Sequence, residues 1–192
     1  MKWIRQNGRR GRMDVLITDR NFNIEPIPFT ENVFDRRASR GVVYNPKTDQ
    51  VVMVTLKHPV EYKLPGGGKE GNETEEETFY REIMEETGCR VKIVQRLGVV
   101  REERSQIDMR QTSAAFVAEL IEDTGEIHPD ADEIKKGLAI EWMDLDDAIV
   151  AVENSFTTVL TDPRRSIYRA RFVLERDLAI LKAYKELKQK RL

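Results

Sequence analysis

The chain has 192 residues, enough for one full-sized domain with a proper core, whereas two independent domains would each be small. With 40% apolar and 34% charged residues it reads as a folded globular protein with a well-hydrated surface. Its 32 basic and 34 acidic residues leave a formal net charge of -2, a balance that argues against stable nucleic-acid binding. The charge is unevenly spread. Met1 to Arg12 carries Lys2, Arg5, Arg9, Arg10 and Arg12 and no acid. Residues 1–14 therefore read as a basic, flexible arm ahead of a single domain over 15–192. The arm lacks the apolar core of a signal peptide, and no stretch of the chain reaches membrane-spanning length. One cysteine, Cys89, excludes an intramolecular disulfide and a cysteine-rich zinc site.

In chain order, Val15 to Ile27 is a mixed segment with room for one short strand ending near Pro26 and Pro28. Ala38 to Tyr44 alternates loosely, Asn45 to Asp49 reads as a turn, and Val51 to Leu56 is a nearly continuous apolar run. The two flanking segments look like a hairpin, the second strand buried on both faces. Lys63 to Gly68 enters a glycine-rich loop. Asn72 caps the helix that follows, with Glu75 completing a capping box. That helix is predicted over Glu73 to Thr87, stopped by Gly88 as a left-handed cap. Its apolar stripe pairs Phe79 with Ile83 and Tyr80 with Met84.

Further on, Val91 to Arg101 and Thr112 to Leu120 read as strands. Glu122 to Lys136 reads as a long polar loop, Ile140 to Met143 as a short strand, and Asp144 to Glu153 as a helix. Asp162-Pro163 marks a break before a long final helix from about Arg165 to Lys190. In it Val173, Ile180, Tyr184 and Leu187 recur at helical spacing, as do Leu174, Leu178 and Leu181. Packing on the parent domain and a dimer contact both account for so wide a stripe, and its width leans towards a homodimer. Strands with interspersed helices make a mixed α/β or α+β domain.

The helix after the glycine run is crowded with acids. Glu75, Glu76 and Glu77 suit its positive N-terminal end, as a solvated face with ion pairs such as Glu77 with Arg81. Glu82, Glu85 and Glu86 sit near the opposite end, where negative charge is unfavourable, and their spacing puts them on one face. Three such carboxylates repel one another unless a positive group lies between them. Mg²⁺ or Mn²⁺, hard cations that seek oxygen, are the candidates. Gly66, Gly67 and Gly68 let the backbone approach a ligand closely, and a carbonyl there can join the carboxylates. Metal-assisted phosphoryl chemistry fits this combination.

Gly67, five residues, Glu73, seven residues, then Arg81-Glu82-Ile83-Met84-Glu85-Glu86-Thr87-Gly88-Cys89 resembles the signature box of the Nudix hydrolases at every fixed position. The last position usually carries a bulky aliphatic residue, and Cys89 should simply fill core space. Looser similarity runs from about Ala38 to Val152, including Leu64-Pro65-Gly66-Gly67 and Trp142-Met143-Asp144-Leu145. The resemblance implies an α/β/α sandwich around a mixed sheet, here with an additional long C-terminal helix. It also implies hydrolysis of a phosphoanhydride bond in a nucleoside diphosphate-linked substrate. By position, Glu82, Glu85 and Glu86 would be metal ligands with the Gly67 carbonyl nearby. Arg81 and Glu73 would brace helix and loop. Some members take the general base from the box and others from the loop before the tryptophan-containing strand. Glu133 is the candidate for the latter, with Glu126 and Glu141 as competitors.

Marks of the family's subgroups are missing. No proline lies between Cys89 and His128, as ADP-ribose hydrolases often have. No tyrosine stands between Tyr80 and Tyr168, as in diadenosine-polyphosphate hydrolases. The extra motif of coenzyme A hydrolases is not evident before Pro65. The reading left is a MutT-like nucleoside triphosphate pyrophosphohydrolase or a general nucleotide hydrolase, acting in the cytoplasm. An ADP-ribose or nucleotide-sugar pyrophosphatase and a non-catalytic nucleotide-sensing or protein-binding module are the alternatives. Arg37, Arg40, Lys57 and Lys63 could meet phosphates, and Phe34 or Tyr62 could stack on a base. With only His58 and His128 in the chain, a histidine-based zinc site is excluded.

Overall fold

A computed structural model describes residues 12–57, 60–129, 131–161 and 166–190. Most of the basic arm, His58 and the Asp162-Pro163 break lie outside the described residues.

Eight strands form one mixed sheet. They are β1 (Met13–Thr18), β2 (Phe34–Tyr44), β3 (Val51–Lys57), β4 (Val60–Lys63), β5 (Gly66–Gly68), β6 (Cys89–Arg104), β7 (Met109–Asp123) and β8 (Ala139–Met143). Four helices accompany them: α1 (Glu75–Thr87), α2 (Ala131–Lys136), α3 (Leu145–Thr161) and α4 (Ile167–Gln189). The spatial order is β1-β6-β7-β2-β3-β4, with β5 on β2 and β8 on β3. β1 runs parallel to β6 and β7 parallel to β2, and the remaining pairs are antiparallel. Met13 and Asp14, read from sequence as the end of the arm, are the first residues of β1 and pair with Gly98 and Val99. Among the described residues no helix is long and apolar enough to cross a membrane.

The sheet is covered on both faces, giving the α/β/α sandwich. One core gathers Val42, Val51, Met53, Val100 and Val117 of the sheet under α3 and α4. The other gathers Val43, Val52, Ala114 and Phe116 under Phe79 and Ile83 of α1. Alternate residues of β2 and β3 thus serve opposite cores, as the two-residue period of a strand requires. The apolar stripe of α4 is spent in the first core, where Leu174, Leu178, Ile180, Leu181 and Tyr184 are all buried.

Four expectations shift. The hairpin of β2 and β3 holds only at its turn, through Tyr44 opposite Val51 and Asn45 N–H to the Gln50 carbonyl at 2.8 Å. Beyond that the strands part, and the middle of β2, Ala38 to Arg40, pairs with β5 instead. The cap of α1 is Thr74, two residues later than Asn72. Its hydroxyl accepts from Glu77 N–H at 3.1 Å, and Glu77 accepts from Thr74 N–H at 2.7 Å. Tyr80 is exposed rather than part of the buried stripe, because the apolar contact of α1 with the sheet centres on Phe79 and Ile83, while the Tyr80 hydroxyl accepts from Ile93 N–H at the edge. The polar loop after β7 contains the short helix α2.

Candidate active site

The site lies where β2 and β3 diverge. Into that gap the chain brings Leu64 to Gly68, anchored on both sides. Leu64 N–H donates to the buried Asp177 of α4 at 3.0 Å, and Gly41 N–H donates to the Pro65 carbonyl at 3.3 Å. Gly66 takes φ 133°, a conformation L side chains avoid, and a methyl there would run into Ser39 and Arg40. Its N–H donates to Oε2 of Glu86 at 2.6 Å. Gly67 is needed for space: a methyl would overlap both carboxylate oxygens of Glu82.

α1 lays its carboxylates along this turn. Its C-terminus closes at Gly88, at φ 67°, whose N–H returns to the Met84 carbonyl. Arg81 ties the helix to the loop. Its Nε and Nη2 donate to Glu73 at 2.7 and 3.1 Å, and Nη2 also donates to the Gly68 carbonyl at 2.8 Å. Its Nη1 bridges Glu82 and Glu85, at 2.9 Å each. The Arg81 guanidinium, through its fork on the carboxyl, and the Glu70 amide hold Glu73 down at about 2. Burial pushes the Glu82 carboxyl up, and the nearby charges of Glu86 and Glu85 add to that against the pull of Arg81. Glu86 is 4% exposed and forms an ion pair with Lys63 Nζ at 3.0 Å. Cys89 fills the core beside Phe79 and Ile83, and burial raises its thiol.

A cavity of 560 Å³ opens over this turn, within the size range of small-ligand pockets. Its acidic wall is Glu82, Glu86 and Glu133, the last on α2 and 3.8 Å from Lys63 Nζ. Its basic wall carries Arg36, Arg40, Arg104, Arg169 and Arg176, with Arg36 beside Gly68 and Arg40 beside Gly66. Two buried carboxylates organise that wall. Glu102 accepts from Arg104 at 2.7 Å and from Gln111 at 2.7 Å, and lies 3.7 Å from Arg176. Asp177 accepts from Arg176 Nε at 2.8 Å and lies 4.0 Å from Arg40. Burial works against the Arg176 charge, but Asp177 and Glu102 outweigh it and raise its pKa. For Arg40, burial and the charge of Arg176 win, and its pKa falls to about 10.

Of the residues singled out from sequence, Gly67, Glu82, Glu86, Glu133, Arg40, Lys63 and Phe34 line this cavity. Glu85 and Arg81 stand beside it, joined to Glu82 by the Arg81 bridge. Arg37, Lys57, Glu126 and Glu141 are exposed and do not line it. Tyr62 donates to Glu141 and borders a separate surface pocket with α3. Arg36, Arg104, Gln111, Arg169 and Arg176 were not found from sequence. Their one sequence signal is charge at inward strand positions, as in Arg36 and Arg40 on one face of β2, and Arg176-Asp177 inside an apolar helical stripe.

The donor set suits a hard divalent cation. It consists of carboxylate oxygens against a glycine backbone, one of them carrying charge that its surroundings disfavour. Among the described residues no three acidic, histidine or cysteine side chains converge on one point as a formed metal cluster. Glu85 is turned to Arg81, and Glu86 to Lys63 and Gly66.

The NUDIX domain family model matches residues 35–163. Curated relatives include mouse diphosphoinositol polyphosphate phosphohydrolase 3-alpha and human diphosphoinositol polyphosphate phosphohydrolase 3-beta. Each is 28% identical over 121 residues, spanning 62% of this chain and 70% of the relative. Among solved structures, a NUDIX hydrolase from Nitrosomonas europaea superposes with a TM-score of 0.56 at 14% identity, covering 79% of this chain and 89% of its own. The E. coli ORF135 protein gives 0.56 at 12% identity, covering 85% and 98%. These two likenesses concern the fold.

Proposed function

The chain belongs to the NUDIX family, and on that premise we propose that it hydrolyses a phosphoanhydride bond in a substrate bearing several phosphates, with Mg²⁺ or Mn²⁺. The observation that carries this reading is the mixed lining of one cavity, where carboxylates over a glycine turn meet five guanidinium groups. An acidic wall suits a cation and a basic wall suits phosphate, so a metal–phosphate complex matches the two walls together.

Glu82, Glu85 and Glu86 would hold the metal, with the Gly67 carbonyl beside them. A bound divalent ion offsets charge on phosphate oxygens and eases loss of a proton from water. Arg81 is a positioning residue, which fixes Glu82 and Glu85 relative to the loop and needs no contact with substrate. Gly66 N–H and Lys63 fix Glu86 in the same way. Glu133, on the cavity wall, is the acceptor for the proton of the attacking water. Lys63, near both Glu133 and Glu86, keeps their charges tolerable so close together. Glu126 and Glu141, away from the cavity, are not suited to that role.

Two substrate classes compete. The diphosphoinositol polyphosphates named for the relatives carry clustered phosphates that match the arginine wall. A nucleoside triphosphate is the second reading, favoured by Phe34, which lines the cavity and is 61% exposed, as a platform for a base. Intact box carboxylates favour catalysis over nucleotide sensing alone. The test is turnover, with Mg²⁺ and with chelator, of a diphosphoinositol polyphosphate, nucleoside triphosphates, ADP-ribose and nucleotide sugars. Metal-dependent release of phosphate or pyrophosphate, fastest from the most phosphorylated compounds, is expected. No turnover of any of them by folded protein would overturn the reading.

A further inference from the structure

Resting on that reading of the cavity, we propose that α4 supplies a second anion subsite, which grips phosphate groups remote from the bond that is broken. α4 lies beyond residues 35–163, the part matched to the family, yet it gives the cavity Arg169, Val173 and Arg176. Residues seven apart on a helix share a face, so both guanidinium groups come from one side of α4. Arg104 lies over the Phe172 ring of the same helix, 5.2 Å from its centroid.

Among the described residues, Glu102 and Asp177 are the carboxylates at ion-pair distance from the five guanidinium groups of this cavity, and Glu82 and Glu86 act on Arg36, Arg40 and Arg176 from further off. Arg36 hydrogen-bonds neutral Gln111 at 2.7 Å, and it has no carboxylate at ion-pair distance among the described residues. Burial and the charges of Arg176 and Arg104 lower its pKa. Arg169 likewise has no ion pair among the described residues. The Nε atoms of Arg40 and Arg104 are buried without a hydrogen-bond partner. Buried donors left unmade are costly, and clustered guanidinium groups are the standard answer to phosphate, which they bind in a bidentate fork. Glu82 and Glu86 line the same cavity, so phosphates held by Arg169 on α4 would leave the anhydride over these carboxylates.

The test measures binding without hydrolysis. Inositol hexakisphosphate, which contains no anhydride, is titrated calorimetrically into metal-free protein, with linear tripolyphosphate as a second arm. Wild-type protein is expected to bind at least one of them. Arg169→Gln and Arg36→Gln should each weaken binding about tenfold, the loss of one charge-assisted contact. Arg171→Gln, on the same helix but outside the cavity lining, should match wild type. A preference for the hexakisphosphate would assign a ring-borne cluster, and a preference for tripolyphosphate a chain. Arg176→Gln is left out because its side chain is buried and its loss would disturb folding. Wild-type affinity in both Arg169→Gln and Arg36→Gln, or equal weakening by Arg171→Gln, would overturn the proposal. Binding with the expected dependence but no turnover of any anhydride would sink the hydrolase reading and leave this subsite standing.

Discussion

At the scale of single residues, the glycine turn separates two reasons for having no side chain. Gly66 needs its positive φ and is walled in by backbone, so substitution there should cost folding itself. The atoms nearest a methyl on Gly67 belong to the side-chain carboxylate of Glu82. For Gly67→Ala we expect little change in thermal stability and a fall in turnover on the order of tenfold or more, because the methyl displaces a metal-holding carboxylate from its place. Thermal melting with parallel activity assays checks this. A large drop in stability, or full activity, would contradict it. The box was legible in the sequence because this chemistry demands fixed spacing on one helix face. The arginine wall was not, because its members come from β2, β6 and α4 and meet only when the sheet closes.

At the scale of elements, α1 and the loop before it act as one unit through Arg81 and Glu73. The Glu73 carboxyl is held at about 2, below the roughly 4.3 of an unfolded chain. A depressed carboxylate pKa contributes stability that is present above the unfolded value and lost as pH falls through the folded one. Melting temperature should therefore fall between about pH 4 and pH 2, and part of that fall should vanish in Glu73→Gln. An acid profile identical in both proteins would show that the fork is not coupled to folding. The extent of α1 was readable from its stripe and from Gly88. Its start was misplaced by two residues because Asn72 and Thr74 are both good caps, each with an acid three residues on. The parting of β2 from β3 was hidden for a different reason. Hydrophobic pattern reports burial, and Ala38 to Arg40 are as well covered beside β5 and β7 as they would be beside β3.

At the scale of the molecule, the sandwich places two unlike walls around one cavity and uses α4 to close it. The helix serves twice: Leu174, Leu178, Ile180 and Leu181 fill the core, while Arg169 and Arg176 face the cavity. Because that apolar stripe is buried within the chain, its width carries no argument for a dimer. The central claim is that the carboxylates of α1 hold a divalent ion for phosphoanhydride hydrolysis, and Glu85 isolates it best. Glu86 is buried and bonded to Lys63 and Gly66, so its replacement also disturbs the fold. The Glu85 side chain is 44% exposed, and its ion pair with Arg81 is partly solvated, so its replacement should disturb the fold less. The most direct measurement is a Mg²⁺ titration of turnover for wild type, Glu85→Gln and Glu76→Gln, the last an exposed acid on the same helix. The account predicts a loss on the order of 10² or more for Glu85→Gln, with higher Mg²⁺ demand, and no change for Glu76→Gln. Full activity of Glu85→Gln at limiting Mg²⁺ would contradict it.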